Sequence, residues 1–344
     1  MELRTYIEPV REPPRNFSNY IEEVAEGLSE LYGAGAAADY RAKAPSVIEG
    51  SLGHPAVQLW GAFTTRSAIE SHEPAALLMA ATRAGVAQIS FIHVLRPYEG
   101  AGLEAELVKR AVSGLRVREV SGIVSESVSM CRLNLDGAFE ELGFSKVERQ
   151  LMMAPLTTGT LARPALLQSV SWSPADFPET ACVIAEAYQR HPERLLHAEV
   201  RTPREAEVFV RCAAEAGFGP ARAAYGRILR RDGRITGAAI GCEASPEVGF
   251  VLQVAVRPTY QRKGLGTILV KELAQAFREA GMARVALGVT VTNPARNLYE
   301  RLGFRKIKSV NAYVWWKSRG TDAHDTDVHD EARMVPKQKS ERPI

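Results

Sequence analysis

The chain has 344 residues, of which 46% are hydrophobic and 24% charged, with a formal net charge of +3. Soluble globular proteins carry roughly 45–50% apolar and about 25% charged residues, so global disorder is excluded, and the length exceeds the about 100–200 residues of one domain. The charge is mild, and neither a dense Lys/Arg block nor a basic stripe interleaved with aromatics occurs, so nucleic acid is not an expected partner.

The polar, charged segment Met1 to Pro14 has no apolar run of the signal-peptide or membrane-span kind, from which we expect a cytoplasmic protein with no membrane partner. Cys131, Cys182, Cys212 and Cys242 show no CxxC spacing or histidine pairing. They read as buried thiols in a reducing compartment, with no metal site expected.

In chain order, the first half offers a strand at Ile89 to Leu95 that runs into Arg96-Pro97. Gly102-Leu103 and Leu107-Val108-Lys109 follow, and then the block Ala138 to Phe144. Thr-Thr-Gly-Thr flanked by prolines, within Pro155 to Pro164, reads as a linker. Apolar periodicity then predicts helices over about Glu179 to Arg190 and Arg204 to Glu215. Extended stretches at Ala224 to Leu229 and Ile235 to Cys242 flank an Asp232-Gly233 hairpin signal. A strand over Gly249 to Val256 leads through Arg257-Pro258 to a helix from Gly264 to about Ala280. Strand Arg284 to Val291, helix Pro294 to Leu302 and strand Phe304 to Trp316 complete the ordered chain. Beyond it, residues 319–344 have almost nothing to bury and are expected to be a disordered tail, with His324 and His329 solvated rather than metal-bound.

The first half repeats blocks of the second. Ile89 to Arg96-Pro97 mirrors Leu252 to Arg257-Pro258, Gly102-Leu103 mirrors Gly264-Leu265, and Ala138 to Phe144 mirrors Leu298 to Phe304, at an offset of about 160 residues. Three blocks in one order at one offset predict an internal duplication. The expected division is a first domain over 1–157 and a second over 165–318.

The most informative segment is Val254-Ala255-Val256, then Gln261-Arg262-Lys263-Gly264-Leu265-Gly266-Thr267. It takes a strand through a glycine-bearing turn directly into an amphipathic helix. Unpaired amides of a helix's first turn, with the positive end of its dipole, attract an anion that glycine lets approach. Arg262 and Lys263 add charge beside them.

This loop resembles the acetyl-CoA loop of the GNAT superfamily, Gln/Arg-x-x-Gly-x-Gly/Ala, with Gln261, Gly264 and Gly266 at the three specified positions. Asn293-Pro294 through Leu298-Tyr299-Glu300-Arg301-Leu302-Gly303-Phe304 is similar to the family's second motif. The resemblance implies an α/β fold of two tandem acyltransferase domains, each a mixed, mostly antiparallel sheet flanked by helices. It implies an N-acetyltransferase with acetyl-CoA as cosubstrate and a small-molecule or peptide amine as acceptor, working as a monomer or homodimer. A noncatalytic acyl-CoA-sensing module is the competing expectation. By resemblance the loop amides hold the pyrophosphate, Val254 to Val256 splay from the neighbouring strand so that their backbone can pair with pantetheine, an amide near Val254 polarises the carbonyl, and Tyr299 protonates the departing thiolate. Asn293 stands either as a pantetheine contact or as the cap of the helix that follows. Many relatives carry a glutamate where Leu252 stands here; Glu247, Gln253 and Glu243 are nearby, and no general base is assigned.

The first repeat departs at the same positions. Gly100 and Ala101 replace Arg262 and Lys263, Glu104 replaces Gly266, and Phe139 replaces Tyr299. A carboxylate about 4 Å from a phosphate costs up to roughly 4 kcal/mol at an effective dielectric near 20, approaching a thousandfold in affinity. The first half is therefore expected to be degenerate and the second to hold the site. A register that uses Gly100 and Gly102 as the loop glycines would retain some binding.

Overall fold

The computed structural model describes residues 5–52, 54–64, 73–83, 85–126, 134–157, 159–161, 169–215 and 225–317. The expected tail with its two histidines, Cys131 and part of the Pro155 to Pro164 linker lie outside the described residues. Two passes of one element order build the chain. The first comprises β1 (Thr5–Val10), α1 (Phe17–Tyr32), α2 (Ala34–Leu52), β2 (Val57–Thr64), β3 (Ala76–Arg83), β4 (Val86–Val94), α3 (Leu103–Val117), β5 (Gly122–Ser125), α4 (Asp136–Glu141) and β6 (Ser145–Pro155). The second comprises β7 (Val170–Ser171), α5 (Phe177–Tyr188), α6 (Pro203–Ala214), β8 (Gly226–Arg231), β9 (Arg234–Ser245), β10 (Val248–Val256), α7 (Leu265–Glu279), β11 (Arg284–Thr290), α8 (Ala295–Leu302) and β12 (Arg305–Trp316). The duplication read from the three sequence blocks therefore extends to every element.

Among the described residues, 12 strands form one sheet in the order β1-β2-β3-β4-β5-β12-β6-β11-β10-β9-β8-β7. Only β4–β5 and β10–β11 run parallel; the other neighbours are antiparallel. The two halves exchange their last strands. β12 pairs with β5, Tyr313 opposite Ser125, while β6 pairs with β11, Thr290 opposite Arg149. β6 and β12 then pair with each other along the molecule's centre. Trp316 anchors the exchange. A Cβ at Gly122 on β5 would fall inside its ring, and the Arg201 guanidinium lies over it at 4.0 Å.

Each half has its own core beneath its long helix. α3 buries Leu107, Val108, Ala111, Val112 and Leu115, and α7 buries Leu269, Val270, Leu273 and Phe277. Spacings of three and four residues put each set on one face, and every large side chain so buried contributes about 1.5–3 kcal/mol before entropy. Among the described residues no helix is long and apolar enough to cross a membrane.

The parallel pairs are short. β10 pairs with β11 only from Val248 opposite Arg284 to Val251 opposite Leu287, yet it continues to Val256 beside β9 alone. Beyond Leu287, β11 stays with β6. The two strands part there, leaving a wedge that opens onto the start of α7. Among the described residues, β4 and β5 pair from Val86 opposite Gly122 to Ile89 opposite Ser125.

Candidate active site

From β10 the chain makes a 3-10 turn over Pro258–Tyr260 and enters α7 through Gly264, at φ 82. Arg262 also lies in the left-handed region, at φ 59, which is uncommon for a residue with a side chain. The first turn of α7, which follows directly, has unpaired amides of its own. Gly264, Leu265, Gly266, Thr267, Gln261 and Arg262 face a cavity of about 1390 Å³ that continues into the wedge. Lys263 does not line it; its ammonium donates to the Thr259 carbonyl at 2.9 Å and lies 5.3 Å from the Tyr260 ring centre.

Val254, Ala255 and Val256 form the wall of the wedge. Side chains of the same chain hold two of its backbone groups. The Val254 N–H donates to Gln253 Oε1 at 3.0 Å, and Gln261 Nε2 donates to the Val256 carbonyl at 3.0 Å. Gln253 Oε1 also accepts from the Tyr188 hydroxyl at 2.8 Å.

α8 sets Tyr299 on the opposite side of the cavity. Asn293 Oδ1 accepts the Ala295 N–H at 2.9 Å in the turn that leads into this helix, and Asn293 lines the cavity as well. Gly303, at φ 101, ends α8 after two turns. The half-buried Tyr299 ring packs edge-on against Phe304. Burial, and secondarily the nearby Glu193 carboxylate, push its phenol well above its ordinary value, so it is protonated throughout the physiological range.

Sequence reasoning passed over the turn between α5 and α6. Glu193, only 5% exposed, accepts the Thr290 N–H at 2.9 Å and the Asn293 side-chain amide at 3.0 Å. Burial favours its neutral form, but the bonds from Thr290 and the charges of His197 and Arg149 outweigh it and hold the carboxyl below its usual range. His191 Nδ1 accepts the Glu193 N–H at 3.2 Å, and burial lowers the imidazole's pKa. His197 bonds Glu199 at 2.9 Å and lies 4.0 Å from Glu126, a first-half residue that pairs with Arg149 of β6. Burial opposes its charge, yet Glu126 and Glu199 lift its pKa to about 9. Two histidines and two glutamates within residues 191–199 were a signal, but no family spacing marks them. Of the carboxylates weighed in sequence, Glu243 accepts the Tyr225 hydroxyl and Glu247 pairs with Arg284; neither lines the cavity. Leu252 lines it and also packs against the α5–α6 core.

The first repeat keeps the loop's backbone. Gly100 and Gly102 lie at φ 79 and 74, matching Arg262 and Gly264, so Glu104 stands where Gly266 does. One carboxylate oxygen of Glu104 is buried with no hydrogen-bond partner among the described residues. Phe139, fully buried, stacks at 4.2 Å on Tyr313 of the exchanged β12, whose hydroxyl donates to Asp136 at 2.6 Å.

Comparison with known proteins follows the same division. The model of the acetyltransferase (GNAT) family matches residues 179–304. An N-alpha-acetyltransferase of Sulfurisphaera tokodaii is 40% identical over 78 residues, 22% of this chain and 45% of that protein, so the chain spans less than half of this relative's length. A mycothiol acetyltransferase of Rhodococcus jostii is 30% identical over 223 residues, covering 62% of this chain and 69% of the relative. A tandem GNAT protein from the clavulanic acid biosynthesis pathway superposes with a TM-score of 0.59 at 14% identity, over 92% of this chain and all of that one. The doubled element order, the parted parallel strands and these matches agree that the chain belongs to the GNAT acetyltransferases, as a tandem member of that family.

Proposed function

We propose that this acyltransferase moves an acetyl group from acetyl-CoA to a small-molecule or peptide amine by direct transfer, in the wedge of its second half. The observation that carries this reading is that a strand edge freed of its neighbour, a left-handed glycine loop at a helix start and a protonated tyrosine share one cavity. Acetyl-CoA, when bound, supplies the thioester carbonyl and a pyrophosphate. The residues present fit it. Gly266 puts no side chain over the first turn of α7, and a Cβ there would make only ordinary contact with Leu298, at 3.5 Å. The Glu104 carboxylate occupies the corresponding place in the first half, which is why we assign cosubstrate binding to the second alone.

The loop amides from Gln261 to Thr267 hold the anion, with Arg262 beside them, and the Val254–Val256 edge aligns the extended arm. Val254 N–H donates to the carbonyl oxygen and draws charge onto it. Tyr299 donates to the departing sulfur. Its phenol is a weaker acid than a thiol, so it holds the thiolate as a hydrogen-bond donor until the nitrogen sheds its proton as the amide forms; the phenol then passes its own proton to sulfur and takes up the one from nitrogen. Glu193, bonded to both Thr290 and Asn293, fixes the approach of α8 and therefore the place of Tyr299. Deprotonation of the incoming amine is assigned to water, because Leu252 offers no base and the Nδ1 lone pair of His191 is engaged by Glu193. Glu126 and Arg149 extend the first half into the acceptor end of the cavity. A thiol-release assay over a panel of amines tests this. Acceptor-dependent release of CoA is expected; tight acetyl-CoA binding with no release for any amine would overturn it in favour of a noncatalytic acyl-CoA sensor.

A further inference from the structure

We propose that Gln253 is a stopper built into the wedge, whose side-chain oxygen occupies the amide that an incoming thioester carbonyl needs, with Tyr188 as the residue that holds it there. This rests on the acetyl-CoA reading above and adds to it a residue that sets affinity for the carbonyl end of the cosubstrate.

Past Val251, β10 has lost β11, and a strand edge facing a cavity leaves N–H and C=O groups that must find partners. The chain supplies them itself, and with matched polarity: an acceptor, Gln253 Oε1, at the Val254 N–H, and a donor, Gln261 Nε2, at the Val256 carbonyl. The Gln253 side chain is not a casual cap. It is 7% exposed and follows the register shift between Val251 and Gln253 that bends the β9–β10 pairing. Its oxygen takes a second donor, the Tyr188 hydroxyl, from a helix 65 residues away in sequence. Two donors at one atom also fix which end of the amide lies there.

Gln253 is therefore held from two sides across the place where a carbonyl would be polarised. For Val254 N–H to bond a thioester, Gln253 Oε1 must leave and its bond to Tyr188 must break or rearrange. Binding of a carbonyl is weakened by that exchange, whereas a ligand without a carbonyl at that atom leaves the stopper in place.

Calorimetry of the full chain with acetyl-CoA and with S-ethyl-CoA, a thioether lacking the carbonyl, separates the possibilities. In Gln253→Ala, acetyl-CoA is expected to bind about three- to tenfold tighter, the worth of one net hydrogen bond, with S-ethyl-CoA unchanged within about twofold. Tyr188→Phe, which keeps Gln253 but removes its holding bond, is expected to shift acetyl-CoA in the same direction by about two- to threefold, and serves if the first variant unfolds. Equal changes for both ligands, or acetyl-CoA binding that is unchanged or weaker in a folded variant, would overturn the stopper and leave the acetyl-CoA reading standing. A wild-type chain that binds neither ligand would overturn that reading and the stopper together.

Discussion

In the proposed reaction Tyr299 serves the departing thiolate only while it carries its proton, and burial beside Glu193 keeps it protonated. Tyr299→Phe keeps the ring on Phe304 and removes the donor, so turnover is expected to fall by about 10²–10⁴ with acetyl-CoA binding nearly intact, as kcat and calorimetry would read separately. An unchanged kcat would remove Tyr299 from the reaction. His197 gives a pH signature of a different kind. Its folded pKa, about 9, exceeds the ordinary 6.5, so its contribution is complete below pH 6.5 and is lost as pH rises toward 9, at most about 3 kcal/mol. Wild-type stability in urea should decline over that window, and His197→Ala should flatten the decline. The place of Tyr299 on the cavity was legible because it sits inside a contiguous motif. Glu193 was not: it reaches Thr290 and Asn293 from about 100 residues away, and no local pattern encodes such a contact. Gln253 was weighed in sequence only as a neighbour of the missing base, and the proposal rests instead on the Val254 amide that its side chain covers.

At the scale of elements, the loop and α7 work as one unit: the left-handed Arg262 and Gly264 aim the amides, and the buried stripe from Leu269 to Phe277 keeps the helix start fixed against the sheet. Gly266→Glu places a carboxylate at that start, as Glu104 does in the first half, and is expected to abolish acetyl-CoA binding by calorimetry. Gly102→Ala should leave both affinity and stoichiometry nearly unchanged; equal losses at the two positions would sink a single-site assignment. These elements were readable because strand, glycine turn and helix follow one another along the chain, with period-two and 3.6-residue patterns intact. The comparison of repeats was equally readable, since Gly100 and Gly102 adopt the angles of their counterparts. The parting of β10 from β11 was expected only through family resemblance; nothing in Val248 to Val256 distinguishes its paired from its unpaired part.

At the scale of the molecule, one sheet runs through both halves, and its centre is made of strands that crossed over. Strand exchange was invisible in the sequence because pairing partners lie far apart in the chain and β6 and β12 carry apolar patterns that suit either sheet. It has energetic consequences. Unfolding either half alone would strip β6 or β12 of partners on both edges, so heat is expected to give a single cooperative transition with matching calorimetric and van't Hoff enthalpies. Gly122→Ala would drive a methyl into the Trp316 ring and should cost about 1–3 kcal/mol of whole-molecule stability in chemical denaturation. A change confined to a first-half transition would contradict the shared sheet. The crossing also bears on how the protein is made. Domains generally fold in the order of synthesis, amino-terminal first, but here the open edge of β5 waits for Tyr313 to Trp316, about 190 residues later in the chain. The first half is therefore expected to complete its part of the sheet only once β12 has emerged and paired with β5 and β6.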